Sequence, residues 1–157
     1  MAGFRCVPLS DEAFRNYQTA ESDDVGNSIK KIFEDDTYPC RYTLREMSAK
    51  DGMLLLAHKP PKPQSVYGNP MAIFVSAYDC DRFDEENTVP EIVKNRLVSY
   101  RAFDENGMAV YDAGEIVEPH GKHAEAIAKI FERPDVAYIN AHTAKAGCML
   151  THIERLP

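Results

Sequence analysis

The C-terminal segment constrains the fold most. Ala124, Ile127, Ala128, Ile130 and Phe131 recur at helical spacing between about residues 119 and 132, and Pro134 bars the helix from continuing. Directly afterwards, the apolar run Val136-Ala137-Tyr138-Ile139 leads into Asn140-Ala141-His142-Thr143 and returns through Gly147-Cys148. Strand-forming residues on both sides of a glycine-bearing turn predict a hairpin, with Gly147 supplying a positive φ. A main amphipathic helix followed at once by a hairpin predicts an α+β domain in which that helix covers one face of a largely antiparallel sheet.

The rest of the chain fits this frame. Strands are predicted at about Phe4 to Pro8, Gly52 to His58 and Met71 to Ala77; the last two are continuous apolar runs that read as central, doubly covered strands. Between them lies Lys59-Pro60-Pro61-Lys62-Pro63, followed by Gln64 to Gly68. It is too rich in proline to hold a ladder, so it reads as a surface connector or a lid. Thr88-Val89-Pro90-Glu91 has capping-box spacing with proline in the first turn, predicting a short helix over about residues 88–96. Leu97 to Phe103 turns β-like and meets Met108 to Asp112 through Asp104-Glu105-Asn106-Gly107, a hairpin signal. A two-residue Asn106-Gly107 loop sets Arg101 opposite Asp112 as a cross-strand ion pair, whereas a three-residue bulged loop shifts the partners by one.

At 157 residues the chain fits a single domain, and 44% hydrophobic with 27% charged residues is an ordinary globular composition. The net charge of −7 argues against nucleic-acid binding, which normally needs a basic face. No run of 18 apolar residues occurs, and Met1-Ala2-Gly3-Phe4-Arg5 lacks the apolar core of a signal peptide, so a cytoplasmic protein without a membrane partner is expected. Cys6, Cys40, Cys80 and Cys148 are widely spaced without a C-x-x-C pair, and in a reducing compartment they read as free thiols. An open antiparallel sheet leaves unpaired edges, which admits a homodimer.

Several stretches carry chemistry. In Tyr38-Pro39-Cys40-Arg41 a guanidinium follows a thiol, and a nearby cation favours thiolate. Neighbours on a strand point to opposite faces, however, so Cys40 also reads as a small buried hydrophobe with Arg41 an ion-pair partner. Around the closing turn, His142, Thr143, Lys145 and Gly147 can hold an anion, and Cys148 can act as a nucleophile with His142 as its base. The competing reading is an ordinary hairpin whose polar residues cap their own backbone. Glu118, His120 and His123 have the types but not the complete set for a metal, and no metal site or cofactor is predicted. The acidic stretches Asp79-Cys80-Asp81 and Asp84-Glu85-Glu86 lack EF-hand spacing and read as a solvated loop.

Taken in order, Pro39-Cys40-Arg41, Leu54-Leu55-Leu56, Ala72-Ile73-Phe74-Val75, Arg101-Ala102-Phe103-Asp104 with Gly107-Met108, Val136-Ala137-Tyr138 and Gly147-Cys148 resemble the bacterial domain of unknown function 1203 family. The order and spacing agree from about residue 30 to the end. Where the family pattern carries Ser-Pro-Tyr and a basic residue, this chain has Ser65-Val66-Tyr67-Gly68. The resemblance implies a small cytosolic bacterial protein with an α+β fold and supplies no catalytic role, cofactor or substrate. Two functions remain open. The leading one is a small binding or interaction module without catalysis. The other is a thiol-dependent enzyme or redox sensor acting on a small anionic ligand through Cys40 or Cys148, Arg41 and His142. Convergence of those four residues on one cleft would favour the second.

Overall fold

The computed structural model describes residues 2–60 and 64–157. In chain order the elements are β1 (Phe4–Val7), α1 (Asp11–Thr19), β2 (Lys30–Ile32), β3 (Thr37–Pro39), β4 (Glu46–Ser48), β5 (Met53–His58), β6 (Met71–Ser76), α2 (Glu91–Lys94), β7 (Val98–Phe103), β8 (Glu115–Val117), α3 (His123–Phe131), β9 (Tyr138–Thr143) and β10 (Met149–Arg155). The result is the α+β class read from the sequence, but its strands divide into three sheets. One has five strands in the order β1-β10-β9-β7-β8, one has three in the order β2-β5-β6, and β3 and β4 form a pair. Every named ladder is antiparallel.

Strand alternation in the five-stranded sheet sorts side chains by face. Val98, Tyr100, Ala102, Ile139, Ala141 and Ile153 point inward and pack with Ile127, Ile130 and Phe131 of α3 into one core. Their neighbours Ser99, Arg101, Phe103, Tyr138, Asn140, His142 and His152 therefore belong to the opposite face, because successive residues of a strand alternate. A second core, built from Phe14, Tyr17, Cys40, Met53, Leu54, Ile73 and Val75, belongs to the three-stranded sheet and α1. The chain thus places an apolar layer behind the large sheet and a second half-domain in front of it.

Several sequence expectations are corrected. β5 is central, but β6 is the edge of its sheet, where it meets the parallel bridge Cys40 to Phe74 and the bond from Arg41 N–H to the Phe74 carbonyl (2.9 Å). The capping box at Thr88 does not form. α2 begins at Glu91 with Pro90 as its cap, the Thr88 hydroxyl donates to the Glu86 carbonyl, and the Glu91 carboxylate accepts from Glu46 N–H at 2.9 Å. A carboxylate that can satisfy a distant backbone donor is lost to local capping, so the helix shortens to a single turn. α3 starts at His123 rather than near 119, since His120 adopts a positive φ of 58° and breaks the run. Arg101 does not pair with Asp112. The Asn106-Gly107 turn closes with a single bridge from Phe103 to Ala109, but the strand expected over Met108 to Asp112 does not form: Tyr111–Ala113 make a short 3₁₀ helix, β7 pairs with β8 instead, and Asp112 binds Arg133 at 2.9 Å. Gly107 takes a φ of 76° in that turn, a conformation that disfavours a side chain. Lys59 and Pro60 carry no regular structure, and residues 61–63 of the proline-rich connector lie outside the described residues.

The sequence reading passed over α1. Ser10 caps it by accepting from Ala13 N–H at 3.1 Å, Asp11 and Glu12 sit in its first turn, and Phe14 and Tyr17, three apart, are its buried face. That cap and acidic first turn were visible signals. With only two large apolar anchors, the helix shows too little periodicity to stand out.

Candidate functional site

The outer face of the five-stranded sheet does not pack flush against the second half-domain. Two cavities of about 520 and 380 Å³ lie between them, a size suited to small organic ligands. Pro60, Tyr67, Phe103, Asn140 and Met149 line both, so the two cavities adjoin as neighbouring lobes of one cleft region. The sheet supplies Ser99, Arg101, Phe103, Tyr138, Asn140, His142 and His152. The facing side supplies Met71, Ile73, His58, Arg41 and Arg82.

Arg41 is the most unusual group here. It is 6% exposed, and its Nε donates to the Met149 carbonyl at 2.9 Å while Nη1 donates to the Pro39 carbonyl at 2.6 Å. A β-bulge separates Met149 from Thr151 in β10, so the acceptor sits where the ladder is interrupted. Burial pushes the guanidinium down to about 10, opposed by the charges of Cys148 and Cys40, and it remains a cation at neutral pH. Among the described residues Arg41 meets no carboxylate, and neither do Arg82, which donates to the Leu9 and Pro8 carbonyls at 2.9 and 3.1 Å, or Arg101. The two acids on the cleft wall are engaged: Glu115 by Lys129 at 2.5 Å and Glu154 by Arg5 at 3.5 Å. A chain of net charge −7 therefore gathers in this cleft three guanidinium groups that meet no carboxylate among the described residues.

Three of the five histidines line the same cleft, each from a different strand. His142 Nδ1 lies 2.9 Å from the Gly147 carbonyl, which can only accept, so Nδ1 carries the proton and Nε2 is a bare acceptor. His58 Nδ1 lies 2.7 Å from Tyr17 Oη, whose proton goes to Asp24 Oδ2 at 2.9 Å; again Nδ1 donates and Nε2 is left open. His152 Nδ1 faces Asn140 Oδ1 at 3.0 Å. Burial lowers all three pKa values, His142 to about 4 despite its Gly147 bond and with a further push from Arg101, so each ring is neutral at physiological pH. The cleft thus combines fixed positive charge with neutral acceptors.

Behind Arg41, the Cys40 side chain turns the other way, into the second core. Leu44 N–H donates to the Cys40 carbonyl at 2.9 Å, closing a single tight turn that aims the backbone N–H groups of Tyr42 and Thr43 at the Cys40 sulfur. Ser76 Oγ donates to that sulfur at 3.6 Å, and the Cys80 thiol lies within hydrogen-bonding reach. The Cys80 contact, opposed by burial and helped by the turn donors, brings the Cys40 thiol down to about 5.

The structure brings Arg41 and His142 to neighbouring parts of the cleft through Met149, which bonds Arg41 and pairs with His142 across β9 and β10. Cys148 lies near Arg41, but among the described residues no hydrogen bond joins its thiol to His142. Lys145 lies exposed on the turn, where Thr143 Oγ1 accepts from Cys148 N–H at 3.1 Å and Gly147 adopts a φ of 81°. His123 sits behind the sheet instead, with Nδ1 2.8 Å from Tyr100 Oη, and His120 stays in the exposed turn before α3. Among the described residues no group of three or more His, Cys, Asp or Glu is placed to hold a metal ion. His58, His152, Arg82 and Tyr17 were not singled out from the sequence, because no local spacing connects residues that meet only across the cleft.

Fold and cleft together define an α+β protein with a cationic, histidine-lined groove between two sheets. A family model described as Protein of unknown function (DUF1203) matches residues 37–155, and the chain belongs to that family. The matched span contains every arginine and histidine of the cleft named above, while Tyr17 and Asp24, which orient His58, precede it. No curated protein and no solved structure matches the chain significantly. Among the described residues no helix is long and apolar enough to cross a membrane.

Proposed function

We propose that the protein is a binding module for a small organic anion that also carries a hydroxyl or amino group. The observation that carries this reading is Arg41: a buried guanidinium on the cleft wall, held by two backbone carbonyls and met by no carboxylate among the described residues. Burying a guanidinium without a carboxylate against it is costly, and a carboxylate or phosphate from a ligand offsets that cost through charge-assisted hydrogen bonds. Met71, Ile73, Phe103, Tyr138 and Met149 give the ligand's carbon skeleton an apolar bed. The bare Nε2 atoms of His142 and His58 accept from its hydroxyl or amine. Nothing in this reading requires bond-making chemistry, in keeping with the leading sequence expectation of binding without catalysis.

Thermal-shift screening of matched pairs, each a hydroxy acid, amino acid or phosphate ester beside its neutral amide or alcohol, tests the proposal. At least one anion should raise the melting midpoint with concentration while its neutral counterpart does not. By titration calorimetry Arg41→Met should then weaken that anion about tenfold to a hundredfold, the loss of a charged hydrogen-bond donor. Equal binding by wild type and Arg41→Met, or no response to any anion, sinks the idea.

A further inference from the structure

We infer that Cys40 and Cys80 form a redox-active dithiol that a hydroperoxide converts to an intramolecular disulfide. Cys40 is fully buried at the end of β3, and Cys80, on the segment after β6, is partly exposed. Cys80 packs against the core cluster that contains Cys40, its thiol within hydrogen-bonding reach of the Cys40 sulfur, and Ser76 Oγ stands 3.6 Å from that sulfur. What separates the pair is the turn from Cys40 to Leu44: its Tyr42 and Thr43 N–H groups are aimed at Cys40 and not at Cys80. Main-chain donors fixed around one sulfur of a neighbouring pair select it as the thiolate and leave the other as the proton-bearing thiol. The charged and titratable groups facing them point the same way, for Arg41 interacts with Cys40, while the Cys40 contact, burial and, least of all, Asp81 hold the Cys80 thiol up against Ser76. The other cysteines lack this setting. Burial alone pushes Cys6 up to about 12 in the first core, and Cys148 lies on the closing hairpin.

The chemistry balances without a cofactor. The Cys40 thiolate attacks the peroxide, forming S–O and breaking O–O; sulfur loses two electrons, and the distal oxygen leaves as hydroxide or alkoxide and is protonated. The Cys80 sulfur then attacks the Cys40 sulfenic acid, S–S forms and S–O breaks, and the Cys80 proton leaves with the departing hydroxide as water. Two thiols and one hydroperoxide give one disulfide, one water and one water or alcohol. The oxidant approaches past Cys80, the one of the pair that solvent reaches. The bond would join the turn presenting Arg41 to the segment presenting Arg82, but the disulfide stands whether or not the cleft takes an anion.

The test treats the native full chain with equimolar hydrogen peroxide, blocks remaining thiols, and maps disulfides by peptide mass spectrometry. The expected result is loss of two hydrogens from the intact mass, a single Cys40–Cys80 cross-linked peptide, and full reversal by dithiothreitol. In Cys80→Ser, dimedone should trap a sulfenic acid on Cys40, and Cys148→Ser should oxidise as wild type does. Wild-type mapping decides even where a variant folds poorly. Both thiols staying alkylatable, or a disulfide to Cys148 or Cys6 forming first, overturns the inference.

Discussion

The two faces of the five-stranded sheet are made by the same strands and the same hydrogen bonds, yet they differ in kind. Inward, Val98, Tyr100, Ala102, Ile139, Ala141 and Ile153 are each at most 3% exposed and meet α3; among the described residues their one side-chain hydrogen bond is Tyr100 Oη with His123 Nδ1. Outward, one residue along each strand, stand Ser99, Arg101, Asn140, His142 and His152, facing cavities rather than packed side chains. The difference teaches that period-two alternation makes one sheet serve as both scaffold and site. Close packing behind holds the backbone still, and that rigidity fixes the polar groups in front.

Breaking the inner face should have the largest effect. Ile139 is fully buried at the centre of the sheet, opposite Ile153 and Ala102, so Ile139→Ala is expected to cost about 2–5 kcal/mol in urea denaturation, through lost burial and the cavity left behind. A cost under about 1 kcal/mol would mean that the scaffold face is not the tightly packed one.

Acid should probe the outer face next. His142 is held neutral in the fold with its pKa lowered to about 4, whereas the unfolded chain takes up its proton near 6.5. Between those values the unfolded state binds the extra proton, so stability falls as pH drops through that window, by up to roughly 3 kcal/mol at about 1.4 kcal/mol per pH unit. His142→Gln should flatten the pH slope of the denaturation midpoint, and an unchanged slope would remove His142 as its source. Asp23 acts at lower pH. Burial works to raise its pKa, but N–H donors from Ala57, Asn27 and Val25 outweigh that and hold it below 3.8, so its contribution is complete above that value and is lost as pH falls through the lowered one.

The smallest contrast sharpens the comparison at the cleft. Arg41→Ala strands the Met149 and Pro39 carbonyls and should cost about 1–3 kcal/mol, while exposed Lys122→Ala stays within about 0.5 kcal/mol. Equal thermal midpoints for the two would show that the Arg41 contacts carry no stability.

Much of the scaffold was legible in the residues. Strands β1, β5, β6, β7, β9 and β10 and the helix α3 announce themselves by apolar runs or helical spacing, and Gly107 and Gly147 mark their turns. The three-residue strands β2, β3, β4 and β8 were not, because three residues hold too little alternation to read and exist only where a partner strand completes them. Of the candidate site, Arg41 and His142 stood out beside a proline and a turn glycine, and Cys40 beside Arg41. That Cys40 turns away from Arg41 toward Cys80, and that Cys148 forms no bond to His142, came only from the fold.

The sequence by itself determined the class of fold, the closing hairpin and the alternation that sends Asn140 and His142 to one face and Ile139 and Ala141 to the other. Those are local properties, set by residues within a few positions of one another. The tertiary structure alone decided that His58, His142 and His152 share a cleft, that Arg41 lies there with no carboxylate against it among the described residues, and that Cys40 meets Cys80. Such meetings follow from how two separately packed cores are apposed, and the long-range contacts that appose them have no signature in local spacing.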